Sequence, residues 1–215
     1  MRRRRVAGAM AAFLAYPQYA LLADQDCNQK LRQFADDDVL NVEVGSGRGG
    51  YLVQMAARYP ERKFVGIELK EELLMTAVRK AAAAEVDNLL FICGYAEHFA
   101  DWFSGITVDT LYLNFIDPWP KRRNAVKRLS HRNYLKLYCS AMVPGSRLIL
   151  KTDNRHLYLF SFVEFKRFFT IVSTTQDLVA VGDDTNVATE YETRFSAQGK
   201  PIYRIVCQID SEQVC

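Results

Sequence analysis

The spacing of apolar residues changes period repeatedly along this chain, and each change marks an element. Residues 39–44 ("VLNVEV") form a short β-branched and apolar run next to a glycine cluster, which predicts a buried strand. Leu52, Met55, Ala56 and Tyr59 then recur at helical spacing, and residues 64–67 return to a strand. Leu73, Leu74, Ala77, Val78 and Ala81 share one face of a predicted helix over 71–85, and "NLLFIC" follows as a third strand. "TLYLNF" predicts a fourth strand running into Asp117. A helix over 134–142, stopped by Pro144 and Gly145, leads to a fifth strand, "SRLILKT". "HLYLFSFVEFKRFF" reads as a further helix. "FTIVSTTQ" and "PIYRIVCQI" read as late strands able to close the sheet as a hairpin-like pair. Strands alternating with helices predict an α/β fold, a doubly wound and mostly parallel sheet with a late antiparallel strand.

Composition narrows this picture. A chain of 215 residues buries one substantial core and rarely divides further, and 49% hydrophobic with 25% charged residues is the balance of an ordinary globular domain. The net charge of +3 is small but unevenly placed: Arg2 to Arg5 are consecutive, and residues 121–132 carry six Lys/Arg and no acid. Such runs suit a polyanionic partner. Five scattered cysteines without a C-x-x-C pair, and three histidines without ligand spacing, predict neither a disulfide framework nor a metal site. The four arginines and the apolar stretch after them resemble a secretory signal, but Pro17, Gln18 and Tyr19 interrupt the run. A basic arm beside a polyanionic substrate is the preferred reading, with no membrane span.

Ligands of such sheets bind beyond the carboxyl ends of the strands. The polar residues predicted there are Glu43 and Gly45, then Glu68, then Tyr95, Ala96 and Glu97, then Asp117, then Asp153. Each alone reads as a solvated strand end; five together define a candidate site. Gly45, Gly47 and Gly50 fit G-x-G-x-x-G, with Glu68 placed to accept from ribose hydroxyls. That pattern serves nicotinamide and S-adenosylmethionine enzymes alike. Glu43 separates them, because a carboxylate beside the loop repels a pyrophosphate and suits a cationic ligand with an amino-acid end.

"VEVGSGRGGYL", "VGIELK", "LNFIDPWPKRR", "LKTDN" and "TEYETRFSAQGKPIYRI", in this order, resemble the bacterial-type tRNA (guanine-N7)-methyltransferase family from about Val39 to Ile205. The resemblance implies a Rossmann-like class I S-adenosylmethionine-dependent methyltransferase acting on N7 of a guanine in the tRNA variable loop. It also implies a cytoplasmic monomer or homodimer without metal. Residues 1–38 would be a basic arm and lead-in helix and 39–215 a single methyltransferase domain. By matching positions, Glu43, Gly45, Gly47, Glu68, Tyr95, Ala96 and Asp117 would bind the cofactor, and Asp117 would be catalytic. Lys121, Asp153, Thr189, Glu190, Tyr191 and Glu192 would contact the substrate. The family usually has Asp or Asn where this chain has Tyr95, and His where it has Asn124; a later basic position is Val126.

Bland local roles compete with these assignments. Asp153 or Asn154 can cap a helix, and Thr189 to Glu192 has the form of a capping box. Trp119 can stack on a base or pack its loop. Lys121, Arg122, Arg123, Lys127, Arg128 and Arg132 are expected to hold the RNA backbone. Two rival functions are a non-catalytic tRNA-binding module and a methyltransferase acting on another base; an oxidoreductase fits least.

Overall fold

The computed structural model describes residues 6–35, 39–183 and 186–210. The expected arginine arm at 2–5 lies outside them. Eight strands form one sheet: β1 (Ala20–Leu22), β2 (Leu40–Val44), β3 (Lys63–Glu68), β4 (Leu89–Cys93), β5 (Val108–Asn114), β6 (Arg147–Thr152), β7 (Thr170–Thr175) and β8 (Tyr203–Gln208). Their order is β1-β4-β3-β2-β5-β6-β8-β7. All neighbours from β1 to β6 are parallel, and β8 pairs antiparallel with both β6 and β7. The expected late pair is therefore present, with β8 inserted between β6 and β7.

Nine helices are described: α1 (Ala9–Leu14), α2 (Cys27–Ala35), α3 (Gly50–Arg58), α4 (Glu71–Ala83), α5 (Phe99–Trp102), α6 (Arg132–Cys139), α7 (Arg155–Phe165), α8 (Leu178–Val181) and α9 (Glu190–Ser196). Strand β1 was not predicted, because three residues are too few to show a period. Its segment does belong to the fold. Phe13 of α1 is fully buried in a cluster with Leu74, Ala77 and Val78 of α4, and β1 pairs with β4.

Each face of the sheet carries its own apolar cluster. Leu40, Val42 and Val44 of β2, Leu111 and Leu113 of β5, and Leu148 and Leu150 of β6 pack on one side with α2, α6 and α7. Tyr112 of β5 and Ile149 of β6 face the other side, with Tyr51 and Leu52 of α3. Alternation with period two therefore puts Glu43, Asn114 and Lys151, at the ends of three adjacent strands, on the α3 side together. The strand order reverses between β2 and β5, and a crevice opens there.

Candidate active site

A cleft of about 540 Å³ runs along the carboxyl ends of the parallel strands. It is lined by Glu43, Gly45 and Gly47, by Glu68, by Tyr95 and Ala96, by Asp117, and by Thr189, Glu190 and Tyr191. Residues from four strand ends and from α9, predicted separately, thus share one wall. Lys121, Asp153 and Glu192 are not among the lining residues.

The loop after β2 is held by its backbone. Gly45 and Ser46 both donate to the Ile67 carbonyl, at 2.8 and 3.0 Å. Gly49 has φ 69° and begins α3, and a Cβ there would sit 2.7 Å from both Ala77 and Phe91, so both conformation and space require glycine. Glu68 fixes the loop from the side. Its Oε2 accepts from the Gly47 amide at 3.1 Å, and its Oε1 accepts from the Leu69 and Lys70 amides at 2.9 and 3.0 Å.

Glu43 is only 3% exposed. Its Oε1 accepts from Asn114 Nδ2 at 2.8 Å, whereas Oε2 has no partner; Ser46 Oγ and Asn114 Oδ1, in the same wall, are likewise buried and unpartnered. Three orphaned polar atoms on one side of an open cleft mark a place where a ligand completes the hydrogen bonding. Burial pushes the Glu43 carboxyl from its ordinary 4.5 up to about 8, against the opposing pull of the Asn114 hydrogen bond and the Lys151 charge. A raised folded-state pKa favours the protonated form, so this contribution to stability is full below about 4.5 and is lost as pH rises through about 8. The thermal midpoint of the free protein should therefore fall between about pH 5 and about pH 8 more steeply than that of Glu43→Gln. Equal slopes would contradict the burial argument.

Lys151 is also 3% exposed. Its ammonium donates to Asn186 Oδ1, to the Val187 carbonyl at 2.9 Å and to Glu192 Oε2 at 3.1 Å. Burial lowers its pKa, and the Glu192 charge opposes that shift. One buried cation thus clips segment 186–192 to the end of β6. The capping box expected at 189–192 is present: Thr189 Oγ1 accepts from the Glu192 amide at 2.9 Å, and Glu192 Oε2 accepts from the Thr189 amide at 3.4 Å. Glu192 is consumed by these internal contacts. Glu190 turns towards α4, where it pairs with Lys80 across the start of α3, close to Gly50. Asn154, not Asp153, caps α7, accepting from the Leu157 amide at 2.9 Å. Asp153 is half-buried with Lys200 at 4.0 Å.

The Asp-Pro-Trp-Pro turn is strained on both sides of Asp117, with φ 50° at Phe115 and 40° at Trp119. Arg128 braces it from inside. Its guanidinium donates to the Pro118 and Trp119 carbonyls at 2.9 and 3.1 Å and lies 4.3 Å from the Phe160 ring. Arg132 makes a two-pronged pair with Glu164, at 2.9 and 2.7 Å. Of the six basic residues expected to hold RNA, Arg128 is therefore buried in a bracing role, and Arg132 is exposed but engaged by Glu164. Lys121, Arg122, Arg123 and Lys127 stay exposed, Lys127 beside the Trp119 ring at 5.0 Å. Asp117 itself is exposed at the cleft mouth.

At the β4 end, Tyr95 is 57% exposed and Ala96 buried, while Tyr134 of α6 donates to Glu97 at 2.7 Å. Asn114 was missed from the sequence, although strand alternation from Tyr112 was enough to place it beside Glu43. Tyr134 was missed because nothing local links it to Glu97, 37 residues away. Among the described residues no cluster of His, Cys, Asp and Glu is arranged to hold a metal, and no helix is long and apolar enough to cross a membrane.

A sequence-family model described as "Putative methyltransferase" matches residues 37–205. The chain is 36% identical to a tRNA (guanine-N(7)-)-methyltransferase of Clostridioides difficile, over 95% of this chain and 97% of that one. It is 35% identical to a protein of the same name from Streptococcus sanguinis, over 95% and 98%. Among solved structures, a 16S rRNA (adenine(1408)-N(1))-methyltransferase from Catenulisporales acidiphilia, with cosubstrate SAM, superposes with a TM-score of 0.60 at 16% identity, over 90% of this chain and 95% of that one. At that identity the likeness concerns the fold.

Proposed function

The chain belongs to the tRNA (guanine-N(7)-)-methyltransferase family, and from that premise we propose that it methylates N7 of a guanine in the variable loop of tRNA, using S-adenosylmethionine. The observation that carries the reading is the unpartnered Oε2 of buried Glu43, at the strand-order switch, in the same cleft as Asp117. The orphaned atoms fit the cofactor: Glu43, protonated in the free protein, releases its proton to offer a carboxylate to an α-ammonium group, and Ser46 and Asn114 offer further polar partners to its amino-acid end. Glu68 stands at the end of β3 for the ribose hydroxyls, and the Tyr95–Ala96 turn for the adenine. S-adenosylmethionine, when bound, supplies a methyl group on a positively charged sulfur, which recovers the bonding pair as the N7 lone pair forms the new bond.

The protein's own work is placement and charge. Guanine N7 carries an exposed lone pair, so no base is needed to generate the nucleophile; holding it in line is the larger part of catalysis. Asp117 accepts from the N1–H and N2–H edge of the guanine and stabilises the positive charge that develops on the ring. Thr189 and Tyr191 line the same cleft. Lys127 at the cleft edge, with Lys121, Arg122 and Arg123 outside it, holds the phosphates. Because Arg128 is buried under the turn and Arg132 is engaged by Glu164, that grip is narrower than the basic run suggests.

A tRNA transcript whose variable-loop guanine is replaced by adenine should accept no methyl group from this protein, while the parent transcript does. Equal labelling of both transcripts would defeat the proposed position.

A further inference from the structure

Three aromatic rings stand apart from both apolar clusters of the fold: Phe115, Tyr191 and Phe195. Their centroids lie 5.9, 6.0 and 6.1 Å apart, and their planes are within 36° of one another. Rings packed into a core commonly meet edge to face. These instead form a triangle of roughly parallel rings, and Tyr191, one of its corners, is 54% exposed. The arrangement is held against a cost. Phe115 sits at φ 50°, fixed by its amide donating to the Lys151 carbonyl at 2.8 Å, and α9, which carries the other two rings, begins at the capping box clipped by Lys151. Phe115 and Tyr191 line the cleft; Phe195 lies beyond it, with the Lys200 ammonium 4.6 Å from its ring.

We propose that Phe115, Tyr191 and Phe195 form a stacking floor for an unpaired RNA base next to the one methylated, with Lys200 taking the adjoining phosphate. The inference rests on the tRNA reading given above. Every nucleotide base has a π-face, so a group of near-parallel aromatic rings with a cation over one of them suits a splayed single strand better than a duplex or a protein surface. The base on the floor is a neighbour of the target, because the target's edge is needed at Asp117, at the cleft mouth. Holding the neighbour fixes the strand as the target enters.

The test places 2-aminopurine, whose fluorescence is quenched by stacking, on each side of the variable-loop guanine in turn. Wild-type protein should quench it at one of these positions on binding. Phe195→Leu and Tyr191→Leu should abolish the quench and weaken tRNA affinity about ten- to a hundredfold. S-adenosylhomocysteine affinity and the salt dependence of tRNA binding should stay unchanged, since no phosphate contact is lost. Wild type that methylates tRNA without quenching either probe would overturn the floor alone. Leucine variants that keep the quench and full affinity would do the same. Wild type that neither methylates nor quenches would overturn the tRNA reading with it.

Discussion

Asp117→Asn should lower the turnover of tRNA methylation about 10²- to 10³-fold, the usual loss when one preorganised electrostatic partner of a transition state is removed. The substitution keeps the shape of the side chain and removes its charge. The positive charge on the guanine ring grows only as the methyl group is transferred, so the loss belongs in kcat rather than in tRNA affinity. Asp117 is exposed at the cleft mouth, between two strained positions, Phe115 held by the Lys151 carbonyl and Trp119 braced by Arg128, so the fold does not depend on its charge. Affinity for S-adenosylhomocysteine, which rests mainly on Glu43 and Glu68, should be largely spared. Single-turnover methylation and calorimetric titration of Asp117→Asn give both numbers; wild-type turnover would remove Asp117 from the chemistry.

Lys151→Met should be the most destabilising single change in the site. It leaves the buried Glu192 carboxylate without its cation and removes the donor to Asn186 and Val187, and breaking such a pair costs about 3–5 kcal/mol. The damage spreads from stability to function, because the released segment carries the capping box and the start of α9. Loss of tRNA methylation should therefore accompany the fall in unfolding free energy measured in urea. The double variant Lys151→Met, Glu192→Leu should recover part of that stability, since the stranded charge is gone. A single-variant loss below about 1 kcal/mol would place Glu192 in contact with water, against its burial.

Much of the sheet was legible because its strands are short apolar runs broken by glycine, proline and charged turns, and because helices such as 71–85 carry one apolar face. The sequence pattern also located the rim, since Glu43, Glu68 and Asp117 are carboxylates at strand ends, where a parallel sheet gathers them. Illegible features came from chain-distant geometry. Whether a basic residue meets RNA or its own protein depends on its tertiary partner: Arg128 and Lys127 are adjacent in sequence, yet one is buried under the Asp-Pro-Trp-Pro turn and the other is exposed. Glu190 and Glu192 look equivalent in "TEYE", yet helical spacing turns Glu192 into the interior and Glu190 towards Lys80. Strand β1 and the burial of Phe13 were hidden because three strand residues, or a helix of six residues, carry no readable period.

The most direct measurement is methyl transfer from labelled S-adenosylmethionine to unmodified tRNA, with the product base located by chain cleavage specific for N7-methylguanine. Cleavage is expected at one variable-loop guanine with wild-type protein, and its near absence with Asp117→Asn at equal time. Label on another base, or on guanine without N7-specific cleavage, would contradict the assignment of Asp117 and its cleft to guanine N7.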